Sequence, residues 1–131
     1  MTMYAFSTTT AGSFPAALAK VTEALKAEGF GVLTEIDVAA TFKAKLGIDS
    51  RPYKILGACN PQFAHQAIAA DPDIGLLLPC NVIVREEADG QVMVAFMDPA
   101  AVLGMVDNPQ VTALSKAVRA RLLRVRDSVA G

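Results

Sequence analysis

Apolar and polar residues alternate along several short segments of the chain and recur at helical spacing along two longer ones. Between residues 14 and 25 an apolar side chain returns every three or four positions, which predicts an amphipathic helix capped by Ser13. The same spacing over residues 109–129 predicts a long C-terminal helix. Its apolar stripe consists of Val111, Leu114, Val118, Leu122, Val125 and Val129.

Five segments carry the patterns of β-strands. They are residues 2–8, 30–38, 53–59, 80–87 and 91–97. In the second segment, alternation predicts Val32 and Ile36 on one face and Glu35 on the other, as in an antiparallel sheet with one solvated side. The last two segments are joined through Asp89-Gly90, a strong hairpin signal.

Three proline dipeptides mark helix starts. Asn60-Pro61, Asp98-Pro99 and Asn108-Pro109 each place a capping side chain directly before a proline at the first helical position. The first predicts a helix over 61–70, with its apolar residues facing inward. These inward residues are Phe63, Ala64, Ala67 and Ile68. A short helix is predicted over 39–46, and the leucines of 76–78 are expected to be buried.

The resulting order is β-α-β-α-β-α-β-β-α-α, with long helices first and last and short ones between them. We therefore predict an α+β fold: one antiparallel sheet of about five strands, with the two long helices packed on one face. No linker, repeat or low-complexity tract divides residues 1–131, a length typical of one domain.

Composition narrows the classes of function. Apolar residues make up 53% of the chain, so a subunit contact or a ligand cleft is expected to hide the surplus apolar surface. A net charge of −1 provides no field that would attract nucleic acid or anionic membrane. The N-terminal residues lack the features of a signal peptide, and two cysteines are few for a disulfide scaffold, so we expect a cytoplasmic protein with reduced thiols.

Several segments together resemble the DUF302 family, a bacterial and archaeal domain of unknown function. They are GVLTEIDV (31–38) with Lys43 after it, YKILGACNP (53–61), DIGLLLPCNV (73–82) and Asp98-Pro99. The resemblance spans nearly the whole chain and implies a TBP-like β-α-β4-α domain that is often a homodimer. It brings no established catalytic residues.

The segments that carry this resemblance also hold the candidate site. Cys59 and Asn60 come at the predicted start of a helix, where free N–H groups stabilise a thiolate or an anion, and Cys80 and Asn81 begin the following strand. The end of one strand lies near the start of its antiparallel neighbour, so the cysteines are candidates for a dithiol. With His65 they are weak candidates for metal ligands, because their spacing lacks a CxxC element.

These residues leave three functions open. The first is a small-molecule or partner-binding homodimer with a cleft near Cys59, Asn60, Cys80 and Asn81. The second is a thiol-dependent redox or metal-binding activity at the cysteines, and the third is a structural or interaction module in which both cysteines fill the core. No cofactor motif such as GxGxxG or a P-loop is present, and the cations of 116–126 are interpreted as a solvated helix face.

Overall fold

The computed structural model describes residues 3–131 and confirms the predicted α+β fold. The strands are β1 (Ala5–Thr10), β2 (Gly31–Asp37), β3 (Tyr53–Cys59), β4 (Cys80–Glu86) and β5 (Val92–Met97). The helices are α1 (Phe14–Ala27), α2 (Val38–Leu46), α3 (Pro61–Ala70), α4 (Pro99–Val102) and α5 (Pro109–Val129). Two 3-10 helices, Pro72–Leu77 and Leu103–Met105, complete the order.

All five strands form one antiparallel sheet in the order β1-β5-β4-β3-β2, so β4 is the central strand. The two long helices, α1 and α5, pack together on one face of it. Alternate residues of the three inner strands point into this core, and most of them are completely buried. They are Leu56, Ala58, Cys80, Val82, Val84, Val92, Val94 and Phe96.

The predicted caps are formed. The Ala16 N–H donates to Ser13 Oγ at the start of α1 (3.2 Å), and the Phe63 N–H donates to Asn60 Oδ1 at the start of α3 (3.3 Å). Asp98 and Asn108 accept in the same way from the first turns of α4 and α5. Each cap satisfies a backbone donor that has no partner within the helix, so these dipeptides fix where the helices begin.

The first strand differs from its prediction over residues 2–8. It runs from Ala5 to Thr10, so Thr9 and Thr10, which lie beyond the predicted end, continue the strand. Residue 2, the start of the predicted strand, lies outside the described residues. The β-branched side chains of Thr8 and Thr10 suit a half-buried strand, and Thr10 is buried opposite Val92.

A β-bulge overturns the predicted alternation of β2. The register passes from Val32 opposite Ala58 to Thr34 opposite Gly57, which leaves Leu33 as an additional residue. The side chains beyond the bulge therefore change faces, so Ile36 pairs with Ile55 on the face opposite to Val32. The prediction that Val32 and Ile36 share a face was wrong for this reason.

Two predictions of burial were also wrong. Leu76 is 87% exposed, because the chain at 72–77 forms a 3-10 helix and not an extended buried run. Ile68 is exposed on the outer side of α3, although Ala67 beside it is buried.

Along residues 3–131 no helix is long and apolar enough to cross a membrane.

Candidate functional site

The four predicted site residues occupy the junctions of β3 with α3 and of the 72–77 helix with β4. Cys59 is the last residue of β3, and Asn60 is the N-cap of α3. Cys80 and Asn81 are the first two residues of β4, which follows a cis peptide bond between Leu78 and Pro79. Both cysteines are free thiols.

Strand register separates the four residues into two groups. Cys80 pairs with Ala58, and its side chain points with that of Ala58 into the helix-covered core, where it is 6% exposed. Asn81 pairs with Gly57 and is exposed on the other face. Alternation directs Cys59, which is half-buried, to the same face as Asn81. The cysteines therefore sit on adjacent strands with side chains assigned to opposite faces.

A small cavity lies at this junction and has a volume of about 40 Å³. Cys59, Asn60 and Cys80 border it, whereas Asn81 does not. The rest of the lining is apolar and includes Phe63, Leu78 and Leu114. An apolar cavity that holds benzene measures about 150 Å³, so this one is too small for a metabolite in the form observed.

The two thiols differ in their surroundings. Burial raises the pKa of Cys80 from 9.0 to about 11, and the nearby charge of Cys59 adds to the effect. Cys80 therefore stays protonated near neutral pH and is a poor nucleophile there. Cys59 is partly accessible and directly precedes the helix cap, so it is the thiol with access to a reagent.

The third weak metal candidate lies apart from the cysteines. His65 is exposed on α3 and does not border the cavity. Within residues 3–131, no group of three or more histidine, cysteine, aspartate or glutamate side chains could hold a metal ion. This part of the chain therefore offers no geometric support for a site built from Cys59, Cys80 and His65.

Arginines of α5 pack around the cap of α3, although the sequence suggested that they are simply solvated. Arg121 Nη1 donates to the Glu28 carbonyl (2.9 Å), and its guanidinium lies 5.5 Å from the centre of the Phe63 ring. Arg124 forms an ion pair with the Glu28 side chain (2.9 Å). These contacts attach α5 to the end of α1 and to the start of α3.

A second pair of α5 arginines covers Phe6 of β1. The guanidinium groups of Arg119 and Arg126 lie 5.7 and 5.6 Å from the centre of its ring. Arg119 also binds the carboxylate of Asp98, the cap of α4, at 3.1 Å. These arginines therefore have structural partners, and a helical wheel alone could not identify them because the partners lie far away in sequence.

A larger depression, of about 540 Å³, lies at the opposite end of β3, and sequence reasoning missed it. We call it the α2 groove. Its walls come from α2, the 50–52 loop and the ends of β3 and β4. Its lining includes Val38, Phe42, Arg51, Tyr53, Ile55 and Glu86. No sequence motif marks it, because its walls come from segments that are separated along the chain.

Comparison with known proteins places the chain in a family. No curated protein matches it. It is similar to the crystal structure of an uncharacterized conserved protein DUF302 from Bacillus stearothermophilus, with a TM-score of 0.90 and 29% identity. That match covers 98% of this chain and 99% of the other. The profile of DUF302, a domain of unknown function, matches residues 6–129. The chain belongs to the DUF302 family, as its sequence motifs predicted.

Proposed function

We propose that this protein functions as a homodimer that assembles through the face of its sheet not covered by α1 and α5. We call this the open face. Its central residues are apolar and only half-buried in the single chain. They are Ile55, Ile83, Met93 and Ala95. An antiparallel sheet that faces water normally carries polar residues on that side. The apolar residues here therefore support the proposal that a partner covers this face.

A second copy of the chain suits this surface. Arg85 is the charged residue on the inner strands of the open face, and it is already paired with Glu87. Two copies can therefore meet without like charges opposing each other. Ile83 lies in the middle of the central strand, so a two-fold axis through the centre of the open face would bring the two copies of Ile83 together.

The test compares one substitution at two apolar positions. Ile83→Asp would bury a carboxylate from each copy at the contact and is expected to weaken association by roughly a hundredfold or more. Leu76→Asp makes the same change at a residue that is 87% exposed outside the open face, and it should have no effect. Sedimentation equilibrium measures the mass against 13.8 kDa for one chain. A monomeric wild type, or a dimeric Ile83→Asp variant, would refute the proposal.

A thiol-dependent activity is the second candidate, and it is supported by the contrast between the two cysteines. Cys59 is half-exposed beside the cap of a ten-residue helix, so a reagent can reach it, whereas Cys80 is buried. At pH 7 iodoacetamide should alkylate the wild type once, and it should not alkylate Cys59→Ser in the native state. Alkylation of Cys59 no faster than that of an unfolded peptide would remove this candidate.

The predicted ligand cleft at Cys59, Asn60, Cys80 and Asn81 stays a prediction. The cavity that three of these residues border would have to enlarge severalfold to admit a metabolite. Asn60 already has a structural task as the cap of α3. The open face is therefore the better supported surface for recognition.

A further inference from the structure

Helix α2 gains little from packing on its own chain. None of the residues from Val38 to Leu46 is buried. A helix this short is marginal in water unless an apolar face is covered. Both ends of α2 are nonetheless defined, by the Asp37 cap (2.8 Å from Oδ1 to the Ala40 N) and by Gly47 at φ +67°. The sequence therefore specifies a helix whose apolar residues its own chain leaves uncovered.

The large apolar residues of α2 share one side of the helix, because Val38, Phe42 and Leu46 follow one another at intervals of four. We call these three residues the α2 stripe. Val38 and Phe42 border the α2 groove, and so do Tyr53 and Ile55 of the open face. The stripe therefore lies next to the open face, and the groove connects the two surfaces.

Exposed apolar side chains continue on both sides of the stripe. Ile36 pairs with Ile55 on the open face and is 49% exposed, and Ile48 just after α2 is 51% exposed. Within the stripe, Phe42 is 42% and Leu46 64% exposed. Large apolar residues are normally exposed singly, so this concentration over residues 36–48 indicates a contact surface.

The size of a stable interface favours a second copy as the molecule that covers this surface. The open face presents about a dozen outward-facing residues on its five strands. A standard interface has roughly 20–30 residues on each side. Contacts with α2 and the residues after it would supply part of the difference, and they adjoin the open face through the groove.

We propose that α2 is a docking helix of the dimer. The α2 stripe of each copy packs against the partner, and α2 keeps its helical structure only while the partner covers it. This role rests on the proposed homodimer and adds to it a second contact beside the centre of the open face. In a two-fold dimer the contact is made twice, so any change in the stripe acts twice.

One substitution at two exposed leucines tests the contact. Leu46→Gln changes the stripe, and Leu76→Gln makes the same change before the start of β4, at the opposite end of that strand from the groove. Glutamine has nearly the helix propensity of leucine, so α2 itself is not weakened. Leu46→Gln should raise the dissociation constant of the dimer roughly tenfold or more, and Leu76→Gln should leave it unchanged. Sedimentation equilibrium measures both constants.

Hydrogen exchange tests whether association orders α2. In the wild type, the amides of residues 38–46 should be protected at concentrations that form the dimer and should exchange at least roughly tenfold faster on dilution. The monomeric Ile83→Asp variant should show the same fast exchange in α2. Amides of α5 should stay protected throughout, which shows that the rest of the chain is folded.

The outcomes separate the docking helix from the open face. If Ile83→Asp dissociates a wild-type dimer and Leu46→Gln associates like the wild type, the open face stands, and a second copy is not what covers α2. If Leu46→Gln dissociates the dimer and Ile83→Asp does not, the docking helix is supported and the open face is refuted. Equal protection of α2 in the dimer and in monomeric Ile83→Asp would overturn the ordering of α2 by the partner. A monomeric wild type would overturn both proposals.

Discussion

The two faces of the sheet are made from the same strands but end in different environments. On the covered face, Leu56, Val82 and Val94 are buried beneath α1 and α5. On the open face, Ile55 and Ile83 alternate with them and stay half-buried. Apolar alternation identifies a core only when one face is polar. Here both faces carry apolar residues, and the chain covers only one of them itself.

The largest expected effect tests the covered face. Phe96 is completely buried and stacks on Phe6 with ring centres 5.6 Å apart. Phe96→Ala should reduce the free energy of unfolding by about 3–5 kcal/mol, because it removes a buried ring and leaves a cavity. Urea unfolding measures this at several protein concentrations. The loss should be the same at each, whereas the loss for Ile83→Ala on the open face should shrink on dilution. If the losses for Phe96→Ala and Ile83→Ala depended on protein concentration in the same way, the two faces of the sheet would not differ in the way described here.

Alkaline pH tests the burial of Cys80. The pKa of Cys80 is raised to about 11 in the folded chain, so an unfolded chain releases a proton near pH 9 that the native state retains. The contribution of Cys80 to stability is therefore complete below about pH 9 and is lost as pH rises toward 11, by about 2–3 kcal/mol.

Urea unfolding between pH 8 and 11 measures this contribution in matched variants. Cys80→Ala should lose less stability over that range than the wild type, and Cys59→Ala should lose only slightly less, because it removes the charge that adds to the raised pKa of Cys80. If Cys80→Ala lost as much free energy of unfolding between pH 8 and 11 as the wild type, burial of the Cys80 thiol would not be the cause of that loss.

A third prediction concerns close packing within the open face. A Cβ at Gly57 would collide with Thr34 Oγ1 and would lie 2.9 Å from Pro79 Cγ. Gly57→Ala should therefore destabilise the protein by about 1–3 kcal/mol, and adding Thr34→Ala should recover part of the loss. Gly31→Ala is the control, since a Cβ there meets no atom within 4 Å. Equal thermal midpoints for both alanine variants would contradict the crowding.

The smallest effect compares two asparagines at the candidate site. Asn60→Ala removes the cap of α3 and should cost about 1 kcal/mol. Asn81→Ala changes an exposed side chain and should stay within about 0.5 kcal/mol. Thermal unfolding of both variants measures the difference. A larger loss for Asn81→Ala, dependent on protein concentration, would instead place this residue in the subunit contact.

Local signals were sufficient for much of the fold. The cap-proline dipeptides fixed the starts of α3, α4 and α5, and Asp89-Gly90 fixed the hairpin, because each depends on atoms close together in sequence. The bulge at Leu33 could not be predicted, since it is set by the register against β3. A single inserted residue then reversed the faces assigned to Ile36 and Glu35.

The candidate site was harder to predict for the same physical reason. The sequence indicated Cys59 and Asn60 at a helix start, and that placement is correct. It could not show that Cys80 faces the core while Asn81 faces away, which follows from pairing with Ala58 and Gly57. The α2 groove was invisible because the loop at Arg51 and the end of β4 meet only after the sheet has formed.

Strand order also constrains when this chain can complete its sheet during synthesis. β1 leaves the ribosome first, yet its partner is β5, with Ala5 opposite Met97. The first strand must therefore wait, unpaired, until nearly three-quarters of the chain has emerged. An unpaired strand can pair with a strand of another chain, which leads to misassembly or aggregation. The hydroxyl-rich run from Ser7 to Thr10 reduces that hazard, because it is far less apolar than the strands made later.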